Sequence, residues 1–235
     1  MVHKFIHFGK VKMPAYLKLC LDTWKFKFTI LTYQNVEKFT DPIPAKLKQL
    51  SLPKVADYIR VHVLRDSGGY WLDTDTIMLT DILPNESILG DNKTRGNTIG
   101  YLCNVSHSSF FHAWADYQEQ ILNKLSINTN KTTWDIMGNA FTNKYLKEHP
   151  EIVIGNLSTH WPETYMITGD IPRPQKYEKF YFQENYTLDD LPHETGMLML
   201  HNSWTPVSYK SLNKQDVFAQ KCTLSNILRA LLHEV

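Results

Sequence analysis

Cysteine is scarce: Cys20, Cys103 and Cys222 are the only three in 235 residues, widely spaced, and no Cys-x-x-Cys pair is present to hold zinc. An odd, scattered set of thiols fits a reducing compartment. No charge of one sign prevails, because 25 Lys and Arg face 24 Asp and Glu for a formal net charge of +1. That balance removes the global attraction a nucleic-acid binder uses, so no nucleic-acid partner is expected. No run approaches the ~18 consecutive apolar residues of a membrane span. The opening Met1-Val2-His3-Lys4-Phe5-Ile6-His7-Phe8 leads into a strand-like run without the charged region and long apolar stretch of a secretory signal. Repeats, low-complexity tracts and long linkers are missing as well. The expectation is a cytoplasmic protein, with at most peripheral contact at the inner face of the membrane. Six Asn-x-Ser/Thr sequons, starting at Asn85, Asn92, Asn104, Asn130, Asn156 and Asn185, argue for a secretory lumen with less weight. An Asn- and Lys-rich composition yields such tripeptides by chance, and Asn104 falls in a strand-like stretch, a poor acceptor.

What is present is globular. An apolar share of 43% and a charged share of 21% exclude a disordered chain, and the length suits one sizeable domain over 1–235. Val2 to Phe8 reads as a strand, Pro14 to Trp24 as a helix, and Phe28 to Tyr33 as a second strand. Lys54 to Arg65 carries Val55, Tyr58, Ile59, His62 and Val63 at helical spacing and stops at Gly68-Gly69, a C-cap pair. A short strand, Tyr70 to Asp73, follows. Ile77 to Leu83, the strand Thr98 to Val105 and a helix from Ser109 to Leu125 come next. Later strand candidates are Ile152 to Ile154, Tyr165 to Thr168 and Gly196 to His201, before a terminal helix, Ser225 to His233. The alternation predicts an α/β fold, a Rossmann-like single domain whose mostly parallel central sheet is flanked by helices. Residues 1–105 form its nucleotide-sugar-binding part and 106–235 its acceptor-side and closing part.

The chemistry concentrates in Ala56-Asp57-Tyr58-Ile59-Arg60 and Gly68-Gly69-Tyr70-Trp71-Leu72-Asp73-Thr74-Asp75. In extended chain, residues i and i+2 face the same way, so Asp73 and Asp75 present two carboxylates at the carboxyl edge of a sheet, where ligands of open α/β folds bind. Hard oxygen donors suit Mg²⁺ or Mn²⁺ bridging a diphosphate. By itself Asp-x-Asp is a common pattern that also reads as a solvated turn or a helix N-cap. Asp57 and Arg60 share one face of a helix, able to meet sugar hydroxyls and phosphate oxygens, or else forming a surface ion pair worth a few tenths of a kcal/mol.

The whole string resembles the signature of glycosyltransferase family thirty-two, the DXD-containing enzymes of GT-A fold, and is similar to the glucosyltransferase domains of the large clostridial toxins. Val2 to Gly9 is similar to the family's opening strand, which meets the nucleotide base, and His201-Asn202-Ser203-Trp204 to its C-terminal His-containing segment. The three matches fall in the family's order. The resemblance implies that His7 and Phe8 meet the base, that Asp57 and Arg60 hold the donor sugar and that Trp71 lies beside the nucleotide. It implies Asp73 at ribose or metal-bound water and Asp75 as direct metal ligand, with His201 completing the metal set. Ser203 and Trp204 offer a hydroxyl and an indole N–H to phosphate oxygens. Asn104 and Gly138 lie where sugar-pocket residues occur in similar proteins.

Two further stretches read ambiguously. Leu224, Ile227, Leu228, Leu231 and Leu232 form an apolar stripe that reads as core packing, with membrane-surface contact as the minor alternative. Arg173, Lys176 and Lys179 read as a solvated loop, or as a patch steering an anionic, lipid-linked acceptor. The function expected is a retaining, metal-dependent hexosyltransferase, moving galactose or glucose from a UDP-sugar to a glycan acceptor in capsular or surface polysaccharide synthesis. The rivals are a catalytically silent nucleotide- or glycan-binding module of the same fold and a Mg-dependent phosphotransferase. The phosphotransferase needs an attacking Asp with supporting Lys and Ser/Thr motifs that the sequence does not offer.

Overall fold

The computed structural model describes residues 1–5, 12–83, 89–90, 98–104, 108–124, 135–150 and 161–233. The expected base contacts His7 and Phe8 and the strand candidate Ile152 to Ile154 lie outside them. In chain order the elements are β1 (Val2–Phe5), α1 (Ala15–Asp22), β2 (Phe28–Leu31), α2 (Leu52–Ser67), β3 (Gly69–Leu72), β4 (Thr76–Met78), β5 (Leu89–Gly90), β6 (Thr98–Asn104), α3 (Ser109–Lys124) and α4 (Asn139–Glu148). They continue as α5 (Glu163–Met166), α6 (Arg173–Glu178, passing into a π turn over Lys179–Gln183), β7 (Met197–Met199), α7 (Val207–Lys210), α8 (Lys214–Ala219) and α9 (Thr223–Leu232). The expected α/β class holds.

The chain divides into two compact units that are interleaved in sequence. The first takes the described residues of Met1–His7, Lys27–Asp73 and Pro84–Asn156, and the second those of Phe8–Phe26, Thr74–Leu83 and Leu157–Val235. One crossing from unit to unit comes between Asp73 and Thr74, inside the Asp-Thr-Asp segment.

In the first unit the sheet runs β2-β1-β3-β6-β5. β2, β1 and β3 are parallel, whereas β6 and β5 join antiparallel. Its core gathers Val55, Ile59 and Val63 of α2 with Trp71 of β3, Leu102 of β6 and the rings of Phe110, Trp114 and Phe141. Two glycines carry the chain from α2 into β3. Gly68, at φ 63°, closes the helix with its N–H on the Leu64 carbonyl 3.1 Å away, and Gly69 holds φ 93°. A Cβ at Gly69 would collide with the Met1 carbonyl oxygen, so the approach of β3 to the start of β1 requires glycine there. This turn aims the end of β3, and with it Asp73, from a fixed strand.

In the second unit β4 and β7 pair antiparallel, Thr76 opposite Met199 and Met78 opposite Met197. Trp24 donates its indole N–H to the Thr76 carbonyl at 2.8 Å, and the Met78 N–H donates to Thr23 Oγ1 at 2.9 Å, tying the turn after α1 to β4. Leu224, Ile227 and Leu228 of α9 are fully buried beside Tyr16, Leu17 and Cys20, so the terminal stripe is core packing. Tyr165 to Thr168 was expected as a strand, and the correction is α5. Pro162 presets a helical φ of -61°, the Met166 N–H closes on its carbonyl at 2.9 Å, and the Thr164 hydroxyl bonds the Trp161 carbonyl. These local bonds override the β-propensity of Tyr165, Ile167 and Thr168.

Candidate functional site

In the first unit the site residues converge on one guanidinium. Arg60, 5% exposed, places Nη2 3.0 Å from Asp57 Oδ1 and 3.2 Å from Asp73 Oδ1, and its Nη1 donates to the Ile99 carbonyl. The Trp71 indole N–H donates to the same Asp73 Oδ1 at 2.9 Å, while the Trp71 ring lies 5.1 Å from the guanidinium carbon. α2 supplies Asp57 and Arg60 one turn apart, and β3 supplies Trp71 and then Asp73, whose N–H bonds the Gly100 carbonyl of β6 at 2.8 Å. Asp57 is buried, and Gly138 comes so close that a Cβ there would stand 3.1 Å from Asp57 Oδ2 and 2.5 Å from Ile99 Cδ1. Burial pushes the Asp57 carboxyl up to about 6; Arg60 opposes that rise, and Asp73 and Asp135 add to it. The result is a cluster of two acids around one base, with Asp73 the exposed member at 37% of its side chain.

Asn104 does not join this cluster. The β3–β6 register sets it opposite Gly69, at the strand end away from Asp73. Its amide donates to the Leu64 carbonyl at 2.6 Å and accepts from the Ser108 N–H at 2.7 Å, bracing the end of α2 and the approach to α3.

In the second unit Asp75 precedes β4 and meets the turn after β7. The Asp75 carbonyl accepts from the Leu200 N–H and its Oδ2 from the Asn202 N–H, both at 2.9 Å, and Asn202 Oδ1 accepts the Tyr16 hydroxyl. The turn His201–Trp204 is held by the N–H groups of Trp204 and Thr205 on the His201 carbonyl, with the Tyr177 hydroxyl accepting from the His201 N–H at 3.2 Å. Arg173 lies beneath it. Only 7% exposed, it bonds Glu163 Oε1 at 3.2 Å, rests 3.8 Å over the Trp161 ring and 5.3 Å from that of Trp204, and places Nη2 2.8 Å from His201 Nε2. A guanidinium only donates, so His201 Nε2 is the acceptor and the ring proton sits on Nδ1. Of the two readings of Arg173, Lys176 and Lys179, a solvated loop or a patch steering an anionic acceptor, the first is corrected at Arg173, which is buried and begins α6. Ser203 stays exposed, and Trp204 is half-buried against His201 with ring centroids 4.0 Å apart.

The donor chemistry decides what a divalent ion could find here. Among the described residues no three His, Cys, Asp or Glu side chains gather into a ready-made metal cage. A Mg²⁺ or Mn²⁺ ion that takes one or two carboxylates and completes its shell with phosphates and water needs no such cage, and Asp75 fits that role. His201 does so only if it leaves Arg173, since its Nε2 lone pair is already engaged.

A family model for capsular polysaccharide synthesis proteins matches residues 9–230 of this sequence. The chain belongs to that family. Membership points to a glycosyltransferase-like role in capsule building. No curated protein matches the chain. In this capsular polysaccharide synthesis protein no helix among the described residues is long and apolar enough to cross a membrane. The family match takes in both clusters, including Glu163 and Arg173, which sequence reasoning missed or misplaced.

Proposed function

We propose that the chain is a retaining glycosyltransferase of the DXD type that moves a hexose, galactose or glucose, from a UDP-sugar to a glycan acceptor, lipid-linked at the inner face of a bacterial membrane, during capsule synthesis. The observation that supports this most is the buried Arg60 held between Asp57 and Asp73 at the carboxyl end of a parallel strand. Two carboxylates around one guanidinium disfavour a free anion and favour neutral hydroxyls, which accept from Arg60 and donate to the acids. On this reading Asp57 and Arg60 orient the sugar, Asp73 and Trp71 meet ribose and base, and Asp75 faces the diphosphate with Ser203 and Trp204 as donors. A Mn²⁺ or Mg²⁺ ion held by Asp75, with Asp73 and His201 as the further ligands expected from the resemblance, would stabilise charge on the leaving diphosphate. Arg173 fixes the His201 ring. The acceptor hydroxyl attacks the anomeric carbon on the face the diphosphate leaves; its C–O bond forms as the sugar–phosphate bond breaks, and its proton passes to the departing phosphate oxygen.

Calorimetry with UDP tests the reading. UDP is expected to bind in Mn²⁺ or Mg²⁺ and weakly in chelator, with Asp75→Asn removing the difference. Equal affinity in chelator and in Mn²⁺ for the unaltered protein would end the metal assignment. A panel of UDP- and GDP-sugars then tests turnover, and UDP binding with no hydrolysis or transfer of any donor marks a silent nucleotide-binding module instead.

A further inference from the structure

Tyr16 is the second residue of α1 and is fully buried, its ring edge-on to that of Tyr209 with centroids 6.0 Å apart. A phenylalanine would fill nearly the same space, so the phenol oxygen must find a partner or cost stability. That partner is remote in sequence. The Tyr16 hydroxyl donates to Asn202 Oδ1, 186 positions along the chain. Burial first, then the negative charge of Asp75, pushes the Tyr16 phenol above its ordinary range, so it stays neutral and acts as a donor.

Asn202 is exposed on the turn after β7, where an untied side chain exchanges rotamers in nanoseconds or less. Its main-chain N–H is the group on Asp75 Oδ2 at 2.9 Å, and the Leu200 N–H holds the Asp75 carbonyl at the same distance. The other end of the turn is tied separately. The Thr205 hydroxyl donates to the His201 carbonyl at 3.1 Å and lies 3.0 Å from the Tyr177 hydroxyl. Within the second unit, then, α1, the residue before β4 and the turn after β7 meet in one line of bonds. It begins at a buried phenol and ends on a carboxylate oxygen.

We infer that Tyr16 is a positioning residue for Asp75: its hydroxyl fixes Asn202, and the Asn202 N–H in turn holds the carboxylate in one orientation. The inference rests on the proposed transferase reading only in taking Asp75 as the side chain that meets the ion at the diphosphate. Partners that orient a metal-binding side chain are worth about 10–100-fold in metal affinity.

Two readouts on the full chain test this: NMR exchange of the Asn202 amide without nucleotide or metal, and Mn²⁺ affinity by electron paramagnetic resonance with UDP present. Tyr16→Phe keeps the ring and loses the hydroxyl. The Asn202 amide is expected to exchange about tenfold faster in it, and Mn²⁺ to bind about tenfold more weakly. Tyr209→Phe is the control, since it removes an equally buried hydroxyl, 2.9 Å from Ser225 Oγ, that has no part in the line to Asp75. It should lower Tm comparably and leave both readouts unmoved. Asn202→Ala, at an exposed position, removes the acceptor and keeps its own N–H. It should shift both readouts as Tyr16→Phe does, which keeps the test open if that variant folds poorly, and the double variant should be no weaker than either alone. Unchanged amide exchange in Asn202→Ala and in a folded Tyr16→Phe, or an equal shift in Tyr209→Phe, overturns the inference. If the unaltered protein binds no Mn²⁺, the metal assignment falls, and the exchange readout still decides whether Tyr16 holds Asp75.

Discussion

Each unit buries an arginine, and the two are satisfied by opposite strategies. Arg60 has two carboxylates on one Nη2, one of them buried and reluctant to ionise, and donates to a main-chain carbonyl as well. Arg173 has one fully buried carboxylate, a neutral imidazole, and two indole rings across its faces. The first arrangement has a charge reserve: Asp57 can take up a proton when a partner is lost. The second leans on Glu163, a carboxylate buried in full, and on rings that supply cation–π attraction. One cluster can adjust its charge to a ligand, while the other is a fixed support for the His201 turn.

The sharpest test of that contrast removes the fixed carboxylate. Glu163→Ala takes this carboxylate from a buried Arg173 and should cost about 3–5 kcal/mol in denaturant unfolding. Asp57→Ala, whose loss Asp73 partly offsets, should cost distinctly less; equal costs would break the comparison. The next effect is a pH dependence confined to the first cluster. Between about pH 4 and pH 6 the folded chain keeps a proton on Asp57 that the unfolded chain has released, so this group's contribution to stability falls as pH rises through that window. The fall should reach up to about 3 kcal/mol. It is read as the difference between the unaltered protein and Asp57→Asn, because His3 and His62, both lowered by burial, oppose it by losing stability as pH falls below their unfolded range. A difference that is flat with pH would mean that Asp57 is ionised throughout.

Smaller changes refine the same cluster. Gly138→Ala pushes a methyl against Asp57 Oδ2 and Ile99 Cδ1 and should cost about 1–3 kcal/mol, with donor turnover falling further than UDP affinity. Turnover unaffected by that crowding would place Asp57 outside the sugar site. Trp71→Phe keeps the ring beside Arg60 but removes the indole N–H from Asp73, and thermal unfolding should register a loss of about 1 kcal/mol.

The same contrast governs how much the sequence revealed. Asp57, Arg60, Trp71 and Asp73 sit within one helix and the strand that follows it, so helical spacing, the Gly68-Gly69 break and strand alternation were enough to bring them together. The Arg173 cluster is assembled from Trp161, Glu163, Arg173, Tyr177, His201 and Trp204, on short elements with too few turns to show a period. Nothing near Arg173 in sequence foretells that it is buried, because its partner Glu163 belongs to a different helix that itself reads as a strand. Asn104 misleads for another reason: strand alternation tells which face a residue takes but not which end of its neighbour it meets, and here the antiparallel register moved it away.

The interleaving of the units also sets an order of events as the chain is made. The first unit draws its described residues from the first 150, so its sheet and the ring cluster on α3 and α4 can form before the remainder exists. The second cannot. β4 must wait for β7 about 120 residues later, and Tyr16, Leu17 and Cys20 of α1 wait for Leu224 to Leu228 of α9. Until then α1 and β4 lack the helix and strand they pack against, and contacts this far apart in sequence are slow to close. The stretch from Thr74 onward, where Asp75 lies, is therefore the part of the chemistry that is born last and is the most exposed to chaperone capture or aggregation on the way.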